Sequence, residues 1–135
     1  NDRNPFTRQF TDMQTYVANG TFTQSFIQTG WNYQIGANYD RIILTDLVNG
    51  RFGGTLGGGW NATNGKIGCR SSTTYNRSFV DSSADGSVIQ VAFSIEYSPW
   101  EKHQISAFTN ATFTRSMQFD DFTEYFGGIR YGIQF

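Results

Sequence analysis

The chain has 135 residues and a mass of 15.2 kDa, enough for one domain. Ten basic residues against eleven acidic ones give a net charge of −1, so there is no basic footprint for nucleic acid. Charged residues are only 16% and aromatics 17%, with 15 glycines against two prolines, a balance that favours β structure over a soluble helical fold.

Cys69 is the one cysteine and His103 the one histidine, which excludes an internal disulfide framework and leaves a structural metal site almost without ligands. No cofactor is expected. At Asn1 there is no basic segment followed by an apolar one, so the chain reads as cytosolic or as a mature form whose targeting peptide has gone. The longest apolar cluster is RIILTDLV, far short of a membrane helix; a membrane barrel remains open.

In chain order, residues 10–18 and 21–29 form two short, loosely alternating segments around Asn19-Gly20, through Phe22, Phe26 and Ile27. Trp31, Tyr33, Ile35, Ala37 and Tyr39 then alternate with polar and small residues, predicting a strand over 31–40. The next strand is 50–61, where Phe52, Leu56 and Trp60 share a face with two glycines. The segment 66–77 contains KIGCRSSTTY, which is polar on both faces and carries the weakest signal. In 87–97, Ile89, Val91, Phe93, Ile95 and Tyr97 share one face against Gln90, Ala92, Ser94 and Glu96. In 104–114, Ile105, Ala107, Thr109, Ala111 and Phe113 share a face, and Phe108 breaks the pattern on the other. Finally, 125–135 alternates strictly through Ile129, Tyr131, Ile133 and Phe135. No stretch sustains helical spacing, so the chain reads as all-β: a single antiparallel up-and-down domain of eight strands over residues 1–135, with residues 1–20 the part that fits no pattern.

The connections are expected to alternate in length. Asn64-Gly65 signals a two-residue hairpin and SPWEKH a short turn, whereas DRIILTDLVNG, RSFVDSSADG and RSMQFDDFTE read as longer loops. This is the layout of an outer-membrane barrel. Trp31, Trp60 and Trp100 are all expected at one rim, with Tyr39, Phe52, Tyr75, Phe113, Tyr125 and Phe126 towards the other. Two aromatic girdles flanking an apolar band is the membrane-barrel pattern.

The terminus FGGIRYGIQF resembles the C-terminal β-signal of bacterial outer-membrane β-barrel proteins: a terminal aromatic, alternating apolar positions and an aromatic at the fifth position from the end. The resemblance implies a location in the bacterial outer membrane and contact with its lipids and lipopolysaccharide. It also implies that the barrel-assembly machinery reads Ile129, Tyr131, Ile133 and Phe135. Strand count leaves alternatives open: several copies share one barrel, or the chain is one part of a longer polypeptide.

The lumen-facing set is expected to include Asp40, Arg51, Lys66, Arg70, Glu96 and Arg130, of mixed sign. Such charges either pair and seal the lumen or leave a narrow wet path, the latter favoured where Gly53, Gly57 and Gly59 thin the wall. Lipid-modifying barrel enzymes need a histidine near the outer rim, but His103 falls in a turn at the opposite side, and Ser71, Ser72, Thr73 and Thr74 lack an activating base. The chain is therefore expected to be non-catalytic, a passive small-solute channel or a structural or surface-interaction element. Asp81, Asp85, Asp120, Asp121 and Glu124 are candidates for bridging divalent cations to lipopolysaccharide, against the plainer reading of a solvated face. RIILTDLV either prolongs the strands above the membrane or meets a partner. The competing class is a secreted β-sandwich lectin or pore-forming protein, suggested by sequons at Asn19, Asn61, Asn76 and Asn110.

Overall fold

The computed structural model describes residues 13–44, 47–81, 83–117 and 120–133. They form seven strands: β1 (Gln14–Phe26), β2 (Trp31–Leu44), β3 (Leu47–Asn61), β4 (Ile67–Val80), β5 (Ser83–Tyr97), β6 (His103–Ser116) and β7 (Phe122–Ile133). All lie in one antiparallel sheet whose order is the chain order, and the sheet is not closed. The prediction of an all-β antiparallel meander is met.

The expected turn at Asn19-Gly20 is absent. β1 runs straight through, with Asn19 opposite Asn38 and Gly20 opposite Ala37, so the segments expected at 10–18 and 21–29 contribute one strand rather than two among the described residues. An Asn-Gly pair suits a hairpin only if the flanking residues can pair with each other. Here the polar edge Asn19, Thr21, Thr23 and Ser25 instead continues the face that β2 presents.

The loop lengths are also redistributed. Leu44 pairs with Leu47 and Val80 with Ser83, so two of the three connections expected to be long skip only residues 45–46 and 81–82, and the third spans 117–121, no longer than the connection 62–66 at the other end. RIILTDLV thus prolongs β2 and β3, because Ile43 and Val48 face each other and extend the alternation past Asp40 and Gly50. The connection carrying Asn64-Gly65 spans 62–66 instead of two residues. In it, Gly65 donates its N–H to the Ala62 carbonyl at 2.8 Å and adopts φ +68°, a left-handed conformation that glycine takes without strain.

At the far end of β4, Asp81 takes φ 49° and clamps β3: its N–H donates to the Val48 carbonyl at 2.8 Å and its carboxylate accepts from the Val48 N–H at 2.9 Å. Asp81 is accordingly a turn-forming residue as well as an acidic one. A register shift between Ser78 and Phe79 adds a bulge there, which increases local twist. The connections 27–30, 62–66 and 98–102 lie together at the other end. They are stitched by Asn61 N–H to Gly30 carbonyl at 2.9 Å and Ser98 N–H to Lys66 carbonyl at 2.7 Å. Among the described residues no hydrophobic side chain is buried, so the sheet has no core of its own.

Candidate functional site

Period-two alternation sends successive side chains to opposite faces, and the ladder register tells which residues of neighbouring strands share a face. One row across the middle of the sheet reads Phe22, Ile35, Leu56, Thr73, Val91, Ala111 and Tyr125. The row displaced by one residue reads Thr21, Gly36, Thr55, Thr74, Gln90, Thr112 and Glu124. The first belongs to an aliphatic and aromatic face that continues through all seven strands, including the weakly patterned β4, where Cys69, Tyr75 and Phe79 lie on it. The second belongs to a polar, glycine-rich face.

On the apolar face the aromatic residues collect near the two ends. Trp31 sits opposite Trp60 with ring centroids 6.4 Å apart, and the Trp60 indole N–H donates to the Thr29 carbonyl at 3.1 Å. Trp100, in the 98–102 connection, lies at the same end and meets the His103 ring edge-on at 5.4 Å. His103 also hydrogen-bonds the Tyr131 hydroxyl, so the histidine joins an aromatic cluster. Towards the other end, Tyr39 faces Phe52, Phe52 stacks on Phe79 at 5.5 Å, and Phe113 meets Tyr125 edge-on at 6.2 Å. Tyr75 meets Phe52 at 6.5 Å and completes that band. Phe126 instead projects from the polar face, beside Asn110. Ile129, Tyr131 and Ile133 all project from the apolar face and are exposed; Phe135 lies outside the described residues.

On the polar face, Arg51 donates to the Asp40 carboxylate at 3.0 Å and Arg70 to the Glu96 carboxylate at 3.3 Å. Both pairs are open to solvent, with the arginine side chains 56% and 62% exposed, so each contributes little to stability. Arg130 lies over the Phe108 ring at 5.9 Å. Lys66, expected on this face, is instead in the 62–66 connection, because β4 begins only at Ile67. Arg115 pairs with Asp121 at 3.2 Å near the end away from the tryptophans.

Glycine on β3 lets the side chains of β2 and β4 meet above it. Asn38 donates to Asn76 at 3.4 Å across Gly53, where an added Cβ would fall 2.2 Å from the Asn76 side-chain oxygen and 2.5 Å from the Tyr75 carbonyl. Asn32 closes over Gly59 in the same way, at 3.1 Å from the site of its missing Cβ. The result is a trough of about 230 Å³ between Asn32, Gln34, Gly57, Arg70, Ser72 and Ser94. Phe108, the residue that broke the alternation of β6, lies on Gly128 of β7, filling space that a side chain would otherwise occupy. Cross-strand spacing is invisible in one segment read alone, so the sequence offered no sign of either bridge. The four sequon asparagines all lie in strands, Asn76 within the polar-face bridge.

No family model matches this chain, and no curated protein or solved structure shows significant similarity to it.

Proposed function

We propose that this chain forms wall of a bacterial outer-membrane β-barrel, with its apolar face in lipid and its polar face on the lumen, and acts without catalysis as a passive route for small polar solutes. One observation carries the reading. Among the described residues an aliphatic and aromatic face extends across seven paired strands and is left exposed: Ile35, Leu56, Phe93 and Ile129 are 51%, 61%, 45% and 81% exposed. Soluble proteins seldom leave a contiguous patch of that kind uncovered. A secreted sandwich would divide its strands between two sheets packed face to face, whereas here one sheet takes all seven.

The dimensions agree with a bilayer. From Trp31 to Tyr39, and from Phe52 to Trp60, the chain advances about 26 Å along a strand at ~3.3 Å per residue, or roughly 20 Å along the normal at a ~40° tilt. Strands of 12 to 15 residues exceed the ~9–11 needed to cross, so their ends away from the tryptophans project beyond the apolar band. The polar-face charges pair along the sheet, Asp40 with Arg51 and Glu96 with Arg70, as charges lining a polar lumen would. Lipopolysaccharide and lipid are the partners of the apolar face, and the barrel-assembly machinery is the partner of the β7 strand during insertion.

The test is direct. The membrane fraction, washed with alkaline carbonate, is extracted in detergent and run with and without boiling, and then reconstituted for conductance. Retention in the washed membranes, a heat-dependent mobility shift and discrete conductance steps are expected. A freely soluble protein with no shift, or a glycan on Asn110, overturns the reading.

A further inference from the structure

Resting on the barrel reading above, we infer that the apolar face carries a binding site for the phosphate of a lipid headgroup, formed by Arg77 and Arg115 on either side of Ser87, with Arg41 beside it, at the end away from the tryptophans.

Three strands close on the same short pattern, an aromatic, any residue, then arginine: Tyr39-Asp40-Arg41 in β2, Tyr75-Asn76-Arg77 in β4 and Phe113-Thr114-Arg115 in β6. These strands run in the same direction, away from the tryptophan end. Residues two apart share a face, so each arginine projects on the apolar side just past the aromatic band. The ladders agree: Tyr39, Phe52, Arg77, Ser87 and Arg115 form one row, and Arg41, Gly50 and Phe79 the next. All three arginines are exposed. The strand residues Arg51, Arg70 and Arg130, and the carboxylates of Asp40, Glu96 and Glu124, lie on the polar face instead.

Their depth matches a headgroup. Aromatic belts mark the membrane–water interface. Two residues further is about 6.6 Å along the strand, or roughly 5 Å along the normal at a ~40° tilt. That places a guanidinium on a flexible stem outside the hydrocarbon, among the phosphates, while the acyl chains meet the rings beneath it.

The local geometry suits a phosphate. Arg77 and Arg115 stand two strands apart, about 10 Å at ~4.8 Å per strand. Between them is a hollow of about 210 Å³ lined by Tyr75, Arg77, Gly86, Ser87, Arg115 and Met117, whose floor Gly86 and Ser87 keep low. The Arg77 guanidinium lies 5.4 Å from the centre of the Phe79 ring, a stacking that occupies its face and leaves its N–H edge to donate. Arg115 meets Asp121 through Nε at 3.2 Å, in a pair open to solvent, and its terminal nitrogens remain for a second acceptor. Among the described residues the ion pairs leave Arg41 and Arg77 without a carboxylate. Guanidinium forks match phosphate oxygens two at a time, so two of them across one hollow favour this anion.

The test reads lipid preference directly. The full chain is reconstituted in phosphatidylcholine vesicles holding a trace of spin-labelled phosphatidic acid or of spin-labelled phosphatidylcholine. The motionally restricted fraction of each label gives their relative association with the protein. Two exposed charge contacts correspond to a roughly 2- to 30-fold preference for phosphatidic acid. The preference should collapse at about 1 M salt. Arg77→Gln with Arg115→Gln should abolish it, and Arg77→Lys with Arg115→Lys should keep most of it. Lys66→Gln with Lys102→Gln removes as much charge from the connections at the tryptophan end and should leave it unchanged. A preference absent from the parent, indifferent to salt or lost equally in the lysine variant overturns the site, and the parent's salt response decides this even if the glutamine variant does not assemble. Restricted lipid without headgroup preference removes the site alone. No restricted lipid of either kind means that the sheet is not in the bilayer, which removes the barrel reading and the site together.

Discussion

Val91→Arg tests the assignment of faces most sharply. Val91 is 36% exposed and lies in the row Ile35, Leu56, Thr73, Val91, Ala111. On β2 that row is four residues from Trp31 and four from Tyr39, about 13 Å along the strand from each aromatic band at ~3.3 Å per residue. This is the midplane of the proposed bilayer, where a lipid-facing arginine costs about 2–4 kcal/mol. Converted at about 1.4 kcal/mol per tenfold, the folding equilibrium should fall roughly 30- to 700-fold. Gln90→Arg, one residue away on the polar face between Thr74 and Thr112, should change stability by less than about 1 kcal/mol, because the added guanidinium stays in water. Urea titrations of both variants in lipid vesicles, read by tryptophan fluorescence, give the difference. On a soluble sheet both positions are surface sites and should stay within about 0.5 kcal/mol of the parent. Equal costs at the two positions would refute the assignment of lipid and lumen faces.

Gly53→Ala should destabilise by about 1–3 kcal/mol, since its Cβ would meet both the Asn76 side chain and the Tyr75 backbone. Gly58→Ala, on the apolar face with nothing nearer than 3.5 Å, should change stability by less than about 0.5 kcal/mol; thermal unfolding in detergent separates them. Replacing Asp40 by Asn together with Glu96 by Gln leaves Arg51, Arg70 and Arg130 on the polar face, so the reversal potential across a salt gradient should move towards anion selectivity while stability changes by under ~1 kcal/mol. Because Trp31, Trp60 and Trp100 share one end, bromines near the lipid headgroups should quench their fluorescence more strongly than bromines at the bilayer centre.

The faces were legible in the sequence where one strand alone carried a clear alternation, as from Trp31 to Tyr39 or Ile89 to Tyr97. They were not legible in β4, whose residues Ser71, Thr73, Ser72 and Thr74 look alike on both sides. Its orientation comes from partners: Thr73 lies between Leu56 and Val91, and Thr74 bonds Thr55 at 3.2 Å. Strand ends were misjudged for a related reason. Asp40, Gly50 and Gly86 stood at the limits of the expected strands, yet Asp40 is held by Arg51, Gly50 pairs with Arg41 and Phe79, and Gly86 receives the Ser78 hydroxyl on its carbonyl at 3.3 Å. The Asn19-Gly20 error has the opposite sign, a strong local turn signal overridden by a long partner strand.

β3 brings these points together. A strand carrying Gly50, Gly53, Gly54, Gly57, Gly58 and Gly59 offers little side chain on either face, and such strands specify their register weakly. A slip by one residue would place Trp60 and Phe52 on the polar face and Arg51 on the apolar one. What opposes the slip comes from outside β3's own pattern. Trp31 against Trp60 and Tyr39 against Phe52 pin both ends on the apolar face, while Asn38 and Asn76 grip Gly53 and Asn32 closes over Gly59 on the polar one. Glycine thus thins the wall at the trough without loosening the ladder, because aromatic pairs at the two rims fix the register that the middle of the strand cannot.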